Sequence, residues 1–321
     1  MRFLVTGGAG FLGARLANLL FREGHQVRVI DDVSAGNPDQ LEDGVLFTRG
    51  SVADRPKLWT LLQDVGCVYH LAARVQVSES VLYPREYNEV NVGGTVSVME
   101  AMRDAGVQRV VLTSSGAVYG EQGEQPVRED QSPNPQSPYA VSKLAAEYYV
   151  RTIGALWGIE TVVLRVFNAY GPGQRLPASH PPVVPRFIWQ ALQGGSLVIL
   201  GGGGQTRDFV YVEDVVRAMV AAATASDVDR RIINVGSGHE TSINDLASLV
   251  AGLVAREVEV LRSPAESGGV ARLCADVTAA QRLLDYEPRV QLRQGLRLML
   301  EHDPRFQRPA MAGANDSVFA P

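Results

Sequence analysis

Between the apolar run Phe3-Leu4-Val5 and an amphipathic stretch that opens at Phe11 lies Thr6-Gly7-Gly8-Ala9-Gly10, with Gly13 following one turn later. Glycines at 7, 10 and 13 suit a strand-to-helix turn that faces a dinucleotide. Gly7 permits the tight turn, Gly10 lets backbone approach a pyrophosphate, and Gly13 lets the helix lie close on the strand. The helix N-terminus, with the amides of Phe11 and Leu12, adds donors and a favourable dipole. Asp31 stands at the end of the next apolar run, eighteen residues after Gly13. A carboxylate there accepts both hydroxyls of a ribose, and Asp31 with Asp32 would repel a 2′-phosphate, so NAD is expected rather than NADP.

Short Val/Ile/Leu runs recur with helical stretches between them, at residues 3–7, 27–31, 45–50, 67–73, 109–115 and 160–168. Such runs read as buried parallel strands. Their alternation with helices predicts an α/β fold, a Rossmann doubly wound parallel sheet, with its ligand at the carboxyl ends of the strands. After residue 168 the glycine and proline punctuation is denser, which predicts a smaller, C-terminal second domain. The expected division is 1–167 with a return segment near 207–235, against 168–206 and 236–321. Residues 121–138 and 172–186 read as long surface loops, and loops of that length inside a compact domain are commonly functional. The end of the chain, from Gln307, reads as a frayed tail.

Thirty basic and 35 acidic side chains leave a net charge of −5, so no basic field is available for nucleic acid or anionic lipid. No apolar run approaches the roughly 18 residues of a membrane span. Cys67 and Cys274 are too few for a disulfide framework or a cysteine-based metal site, which fits the cytoplasm. The histidines lack ligand spacing, so no metal is expected, and His70 reads as a packed, hydrogen-bonded residue.

Tyr139 and Lys143 occupy positions i and i+4 near the start of a helical stretch and therefore share a face. An ammonium beside a phenol stabilises the phenolate and makes tyrosine a usable general base. Ser115, at the end of the run RVVLTSS, adds a hydroxyl at the carboxyl edge of the same sheet.

In order along the chain stand TGGAGFLG, Asp31, HLAA at 70–73, NVGGT at 91–95, SSGAVYG at 114–120, SPYAVSK at 137–143, RVFNAYGP at 165–172, GQTRDFVYVEDV at 204–215 and NVGSG at 234–238. Together these resemble the extended short-chain dehydrogenase/reductases that act on nucleotide sugars. The resemblance implies an NAD-dependent epimerase or dehydratase acting on a UDP-sugar, with a Rossmann domain, a smaller, C-terminal sugar-nucleotide-binding domain, and usually a homodimer. Carried over position by position, it makes Tyr139 the base, Lys143 the ribose-binding and phenol-tuning partner, and Ser115 the hydroxyl that steadies the sugar oxygen. It implies cofactor contacts at Gly7, Gly10, Phe11, Leu12, Asp31, Asp32, Ser51, Val52, Leu71, Ala72 and Ala73, besides Tyr139 and Lys143. Gln76, Gly116, Asn168 and Arg207 fall at substrate positions, and Leu197 and Ile199 resemble the strand that flanks the base.

Departures from the family pattern bear on the reaction. The 4,6-dehydratases carry Thr-Asp-Glu where this chain reads Ser115-Gly116-Ala117, so their elimination pair is missing, as is the glutamate of the decarboxylating UDP-xylose synthases. A C4 epimerase needs neither carboxylate. Glu266 occupies the place of a diphosphate-binding arginine, and Arg272 is the candidate replacement. Glu79 is either a solvated first-turn charge or a relocated acid or base. As a whole the chain is also similar to the 5,6-dehydratases of UDP-N-acetylglucosamine in tunicamycin biosynthesis, which keeps antibiotic biosynthesis and water elimination open beside epimerisation. A non-catalytic NAD-sensing module is the remaining alternative, and the intact Ser115, Tyr139 and Lys143 argue against it.

Overall fold

The computed structural model describes residues 1–177, 179–254, 257–264 and 269–307. The strands are β1 (Arg2–Thr6), β2 (Gln26–Asp31), β3 (Leu46–Arg49), β4 (Cys67–His70), β5 (Arg109–Ser115), β6 (Glu160–Val166), β7 (Asn168–Tyr170), β8 (Leu197–Leu200), β9 (Thr206–Tyr211), β10 (Arg231–Val235), β11 (Glu240–Ser242) and β12 (Val260–Ser263). The helices that matter here are α1 (Phe11–Arg22), α2 (Arg55–Leu61), α3 (Val77–Leu82), α4 (Pro84–Asn88), α5 (Gly94–Ala105), α6 (Pro138–Trp157), α7 (Val183–Leu192) and α8 (Val212–Thr224).

Seven strands form one sheet in the order β3-β2-β1-β4-β5-β6-β10, every neighbouring pair parallel. This is the doubly wound Rossmann sheet that the alternation predicts. All four residues of β4 are buried, as are six of seven in β6, because helices cover both faces and leave no side for polar residues. The sequence order reverses at β1, which lies between β2 and β4, and the crevice at that switch point is the ligand position such sheets share. The glycine turn sits there. Away from it, β7, β9 and β11 form a three-stranded sheet, and β8 pairs with β12. The stretch 207–235 therefore divides, with β9 in the small sheet and β10 beside β6 in the large one.

Two helices position the chemistry. No side chain caps α1 at its N-cap, Gly10, and its inner face is Gly13, Ala14, Leu16, Ala17 and Leu20. A Cβ at Gly13 would lie 2.2 Å from the Gly7 carbonyl oxygen, so glycine is what allows helix and strand to come this close. Ser137 caps α6 by accepting the Ala140 amide at 3.2 Å, and Pro138 stands in the first turn, where its missing N–H costs nothing. Gly158, at φ 69°, ends the helix in a left-handed conformation that disfavours other residues.

Candidate active site

At the turn, Gly7 has φ 66°, and a Cβ there would fall 2.7 Å from the Ala72 nitrogen. The backbone after β4 thus lies directly over the turn. The Leu71 amide donates to the Thr6 carbonyl at 3.2 Å, and the Ala72 amide to Thr6 Oγ1 at the same distance. With no capping side chain and no acidic residue in the first turn of α1, its first amides remain open to an anion, and this fits a pyrophosphate. Asp31 ends β2 with one oxygen accepting the Ala9 amide at 3.0 Å and the other the Val33 amide at 2.8 Å. Burial raises its pKa, and the two amide bonds pull it back. Asp31 therefore shapes the turn. Asp32 accepts from Ser34, Val52 is buried, and Ser51 caps the short turn before α2 by accepting the Ala53 amide.

His70 is the packed residue expected. Burial drives its pKa down to about 3, so the ring is neutral. Thr95 Oγ1 donates to the Asn91 carbonyl at 2.6 Å and so accepts from His70 Nε2 at 2.9 Å, which leaves Nδ1 to accept from Thr6 Oγ1 at 2.7 Å.

Across the switch point, the end of β5 meets the first turns of α6. Tyr139 is buried, which raises its phenol pKa, while the Ser115 hydroxyl pulls it back down. Lys143 is also buried, with Nζ donating to the Thr113 carbonyl at 2.7 Å, and burial lowers its pKa to about 8. Ser115 Oγ further accepts the Ala117 amide at 3.2 Å, and Gly116 lies against the Phe167 ring, 3.1 Å from where its Cβ would be. The structure thus brings Ser115, Tyr139 and Lys143 together beside the glycine turn's sheet edge. This is the arrangement a hydride-transfer site needs: a hydroxyl, a phenol and an ammonium grouped at a dinucleotide crevice.

The other predicted residues separate into groups. Gln76 precedes α3, and its carbonyl accepts the Tyr87 hydroxyl at 2.7 Å. Glu79 is not free, since it accepts the same hydroxyl at 2.8 Å and faces Arg74 at 3.7 Å. Asn168 is exposed at the start of β7. Arg207, on β9, donates to the Thr206 carbonyl, and burial lowers its pKa against the pull of Glu121. Arg272 is held in a two-pronged pair with Glu240, at 2.9 and 2.6 Å, so its guanidinium is already neutralised there. Glu266 lies outside the described residues. One prediction is corrected: Leu197 and Ile199 are fully buried in the core, so they offer no wall to a base. Side chains alternate along a strand, so Val198 and the exposed Leu200 occupy the accessible face of β8 instead.

Sequence reasoning passed over three features. Arg186, on α7, places Nη2 3.4 Å from the Val198 carbonyl, and its buried Nε has no partner among the described residues. Tyr87, fully buried, sets its ring edge-on to Tyr139 at 6.5 Å. Glu147 and Arg165 form a buried ion pair one turn beyond Lys143. The signal for the last was present as a charged residue at i+4 from Lys143 and an arginine inside an apolar strand.

A doubly wound sheet with this crevice and this hydroxyl, phenol and ammonium defines a dinucleotide-dependent redox enzyme. The chain belongs to the NAD dependent epimerase/dehydratase family, whose sequence profile matches residues 3–236. NAD is its cofactor. It is 38% identical to a UDP-glucose 4-epimerase of Mycolicibacterium smegmatis, over 94% of this chain and 98% of that one. Its fold superposes on the crystal structure of UDP-glucose 4-epimerase with UDP-glucose from Thermotoga maritima with a TM-score of 0.90, at 34% identity, covering 94% of this chain and 98% of that one. A UDP-glucose 4-epimerase of Thermus thermophilus in complex with NAD gives 0.87 at 33% identity, with the same coverage.

Proposed function

We propose that the chain interconverts the C4 epimers of a UDP-hexose or UDP-hexosamine through a transient 4-keto sugar. The observation that carries this reading is that Tyr139 and Lys143 are buried one turn apart on α6 against the end of β5, where Ser115 is followed by Gly116 and Ala117, which offer no carboxylate. Bound NAD supplies the hydride chemistry, taking hydride from C4 and returning it. The Tyr139 phenolate removes the 4-hydroxyl proton, and the same group returns it when the carbonyl is reduced. Ser115 donates to the sugar oxygen and holds it beside the phenol. The Lys143 ammonium stabilises the phenolate, so the rate depends on Lys143 keeping its proton. Return of hydride to the opposite face of C4 gives the epimer and requires no further acid or base.

In this reading residues 1–167 with β10 hold NAD, and 168–206 with β9 and the described residues from 236 to 307 hold the sugar nucleotide. Asn168, Arg207 and Arg186 are the candidates for the nucleotide diphosphate, and Val198 and Leu200 for the base. Support comes from Arg186 and Arg207, partly buried guanidiniums that make no ion pair among the described residues, whereas Arg272 is already paired.

The second reading, elimination of water across C5 and C6, needs a base for the C5 proton. Glu79 is its candidate, because Tyr87 links it to the Tyr139 ring. Product mass separates the two after incubation of the NAD-loaded protein with UDP-glucose and UDP-N-acetylglucosamine in deuterated water. Epimerisation leaves the mass unchanged, with no solvent label, and yields a new C4 epimer. A product lighter by one water would overturn the epimerase reading. No conversion of either substrate would favour a binding module.

A further inference from the structure

We propose that Glu147, gripped by Arg165, is a positioning residue of this reaction: it sets the height of α6 on β5 and places a buried negative charge one helical turn from Lys143. The inference rests on the epimerase reading and concerns the same site.

Tyr139, Lys143 and Glu147 follow one another at four-residue spacing and all are buried on the inner face of α6. Three consecutive residues of β5 receive them. The Ser115 hydroxyl acts on the Tyr139 phenol, the Thr113 carbonyl accepts from Lys143 at 2.7 Å, and Ser114 Oγ donates to Glu147 Oε1 at 2.5 Å. Two of these rungs are the proposed catalytic groups. The third has no place in the chemistry, yet it is the most heavily bonded. Glu147 also takes Arg165 Nε at 3.0 Å and Nη2 at 2.7 Å, and both side chains are only 2% exposed. Arg165 lies on β6 directly opposite Ser114 in the strand register, so the pair ties two central strands to the helix. Its guanidinium covers the Tyr119 ring at 4.6 Å, and Tyr119 closes the turn that follows Ser115 and donates to Asn234 Oδ1 at 2.7 Å. A buried ion pair recovers little net stability after desolvation, so stability alone gives a weak reason for this one. Holding a helix at one height on a strand is a use its geometry serves.

The charge acts as well as the geometry. The ionisable groups that act on Lys143 are His70 from β4 and Glu147, one turn on along α6, with Tyr139 one turn before it. His70 is neutral, the tyrosines are protonated at rest, and Glu79 on α3 is engaged by Tyr87. Glu147 is thus the carboxylate that opposes the burial of Lys143, pushing its pKa back upward.

The test uses the full chain loaded with NAD. In Glu147→Gln, kcat falls about tenfold or more through loss of alignment. The alkaline limb of its pH profile, where Lys143 loses its proton, moves down by about one pH unit because Arg165 is left unopposed. Glu147→Asp restores the limb without restoring the full rate, and Ser114→Ala lowers kcat with the limb unmoved. Ultraviolet titration of the Tyr139 phenol, taken as the difference from Tyr139→Phe, moves to lower pH in Glu147→Gln, because a buried negative charge is gone and Arg165 is left unopposed, and it requires no turnover. It still reads the inference if the unaltered chain converts no sugar nucleotide, which would sink the epimerase reading alone. A Glu147→Gln variant with unaltered kcat overturns the proposal. So does one with lowered kcat but an unmoved limb and phenol titration, which would make the pair structural only. If Glu147→Gln does not fold, Glu147→Asp and Ser114→Ala decide it by the same readouts, and full activity in both overturns it.

Discussion

Tyr139→Phe should lose at least about 10²-fold in kcat, the ordinary worth of a principal general base, while NAD and sugar-nucleotide affinities stay nearly unchanged. The substitution removes one oxygen and little volume. The ring keeps its edge contact with Tyr87, and Lys143 keeps its bond to the Thr113 carbonyl, since neither depends on the hydroxyl. What disappears is the proton acceptor. Steady-state rates with a separate measurement of NAD affinity check this. More than about a tenth of the unaltered rate would be too much activity for a chain without its base.

Gly13→Ala should be the most damaging single change at the cofactor turn. Its Cβ would sit 2.2 Å from the Gly7 carbonyl oxygen and 2.7 Å from the Gly8 Cα, both backbone atoms that cannot swing aside. Either α1 lifts from β1 or the turn shifts, at a cost of about 1–3 kcal/mol for overpacking of this kind. If the strain is relieved by moving the turn away from the pyrophosphate, the NAD Kd rises by about 10- to 100-fold, at 1.4 kcal/mol per decade. Fluorescence titration with NAD and a thermal melt read the two effects. Unchanged affinity and melting temperature would show that the close approach is unimportant.

The large sheet was readable because its strands are buried on both faces and stand out as apolar runs between helical stretches. Residues 109–115 are a strand over their whole length, whereas the run 67–73 stops at His70, where the backbone leaves the sheet to cross Gly7. Ser115, Tyr139 and Lys143 were readable because the helix period and a strand end fix their places locally. What stayed hidden depends on contacts between distant segments. An all-apolar LVIL does not reveal which alternate pair faces outward, and in the fold Val198 and Leu200 do, not Leu197 and Ile199. Arg272 read as a free cation because its partner, Glu240, lies 32 residues away. The grip on Glu79 required α4 to fold back and place Tyr87 beside it, and the Glu147–Arg165 pair required α6 to pack on β6.

The central claim is that these residues serve a reversible hydride transfer at C4, and UDP-glucose deuterated at C4 tests it most directly. Incubated with NAD-loaded protein in ordinary water, the epimer formed should retain the deuterium at C4, because the same hydride leaves and returns without meeting solvent. Loss of the label to water, or label retained in a product whose C4 configuration is unaltered, would contradict the account.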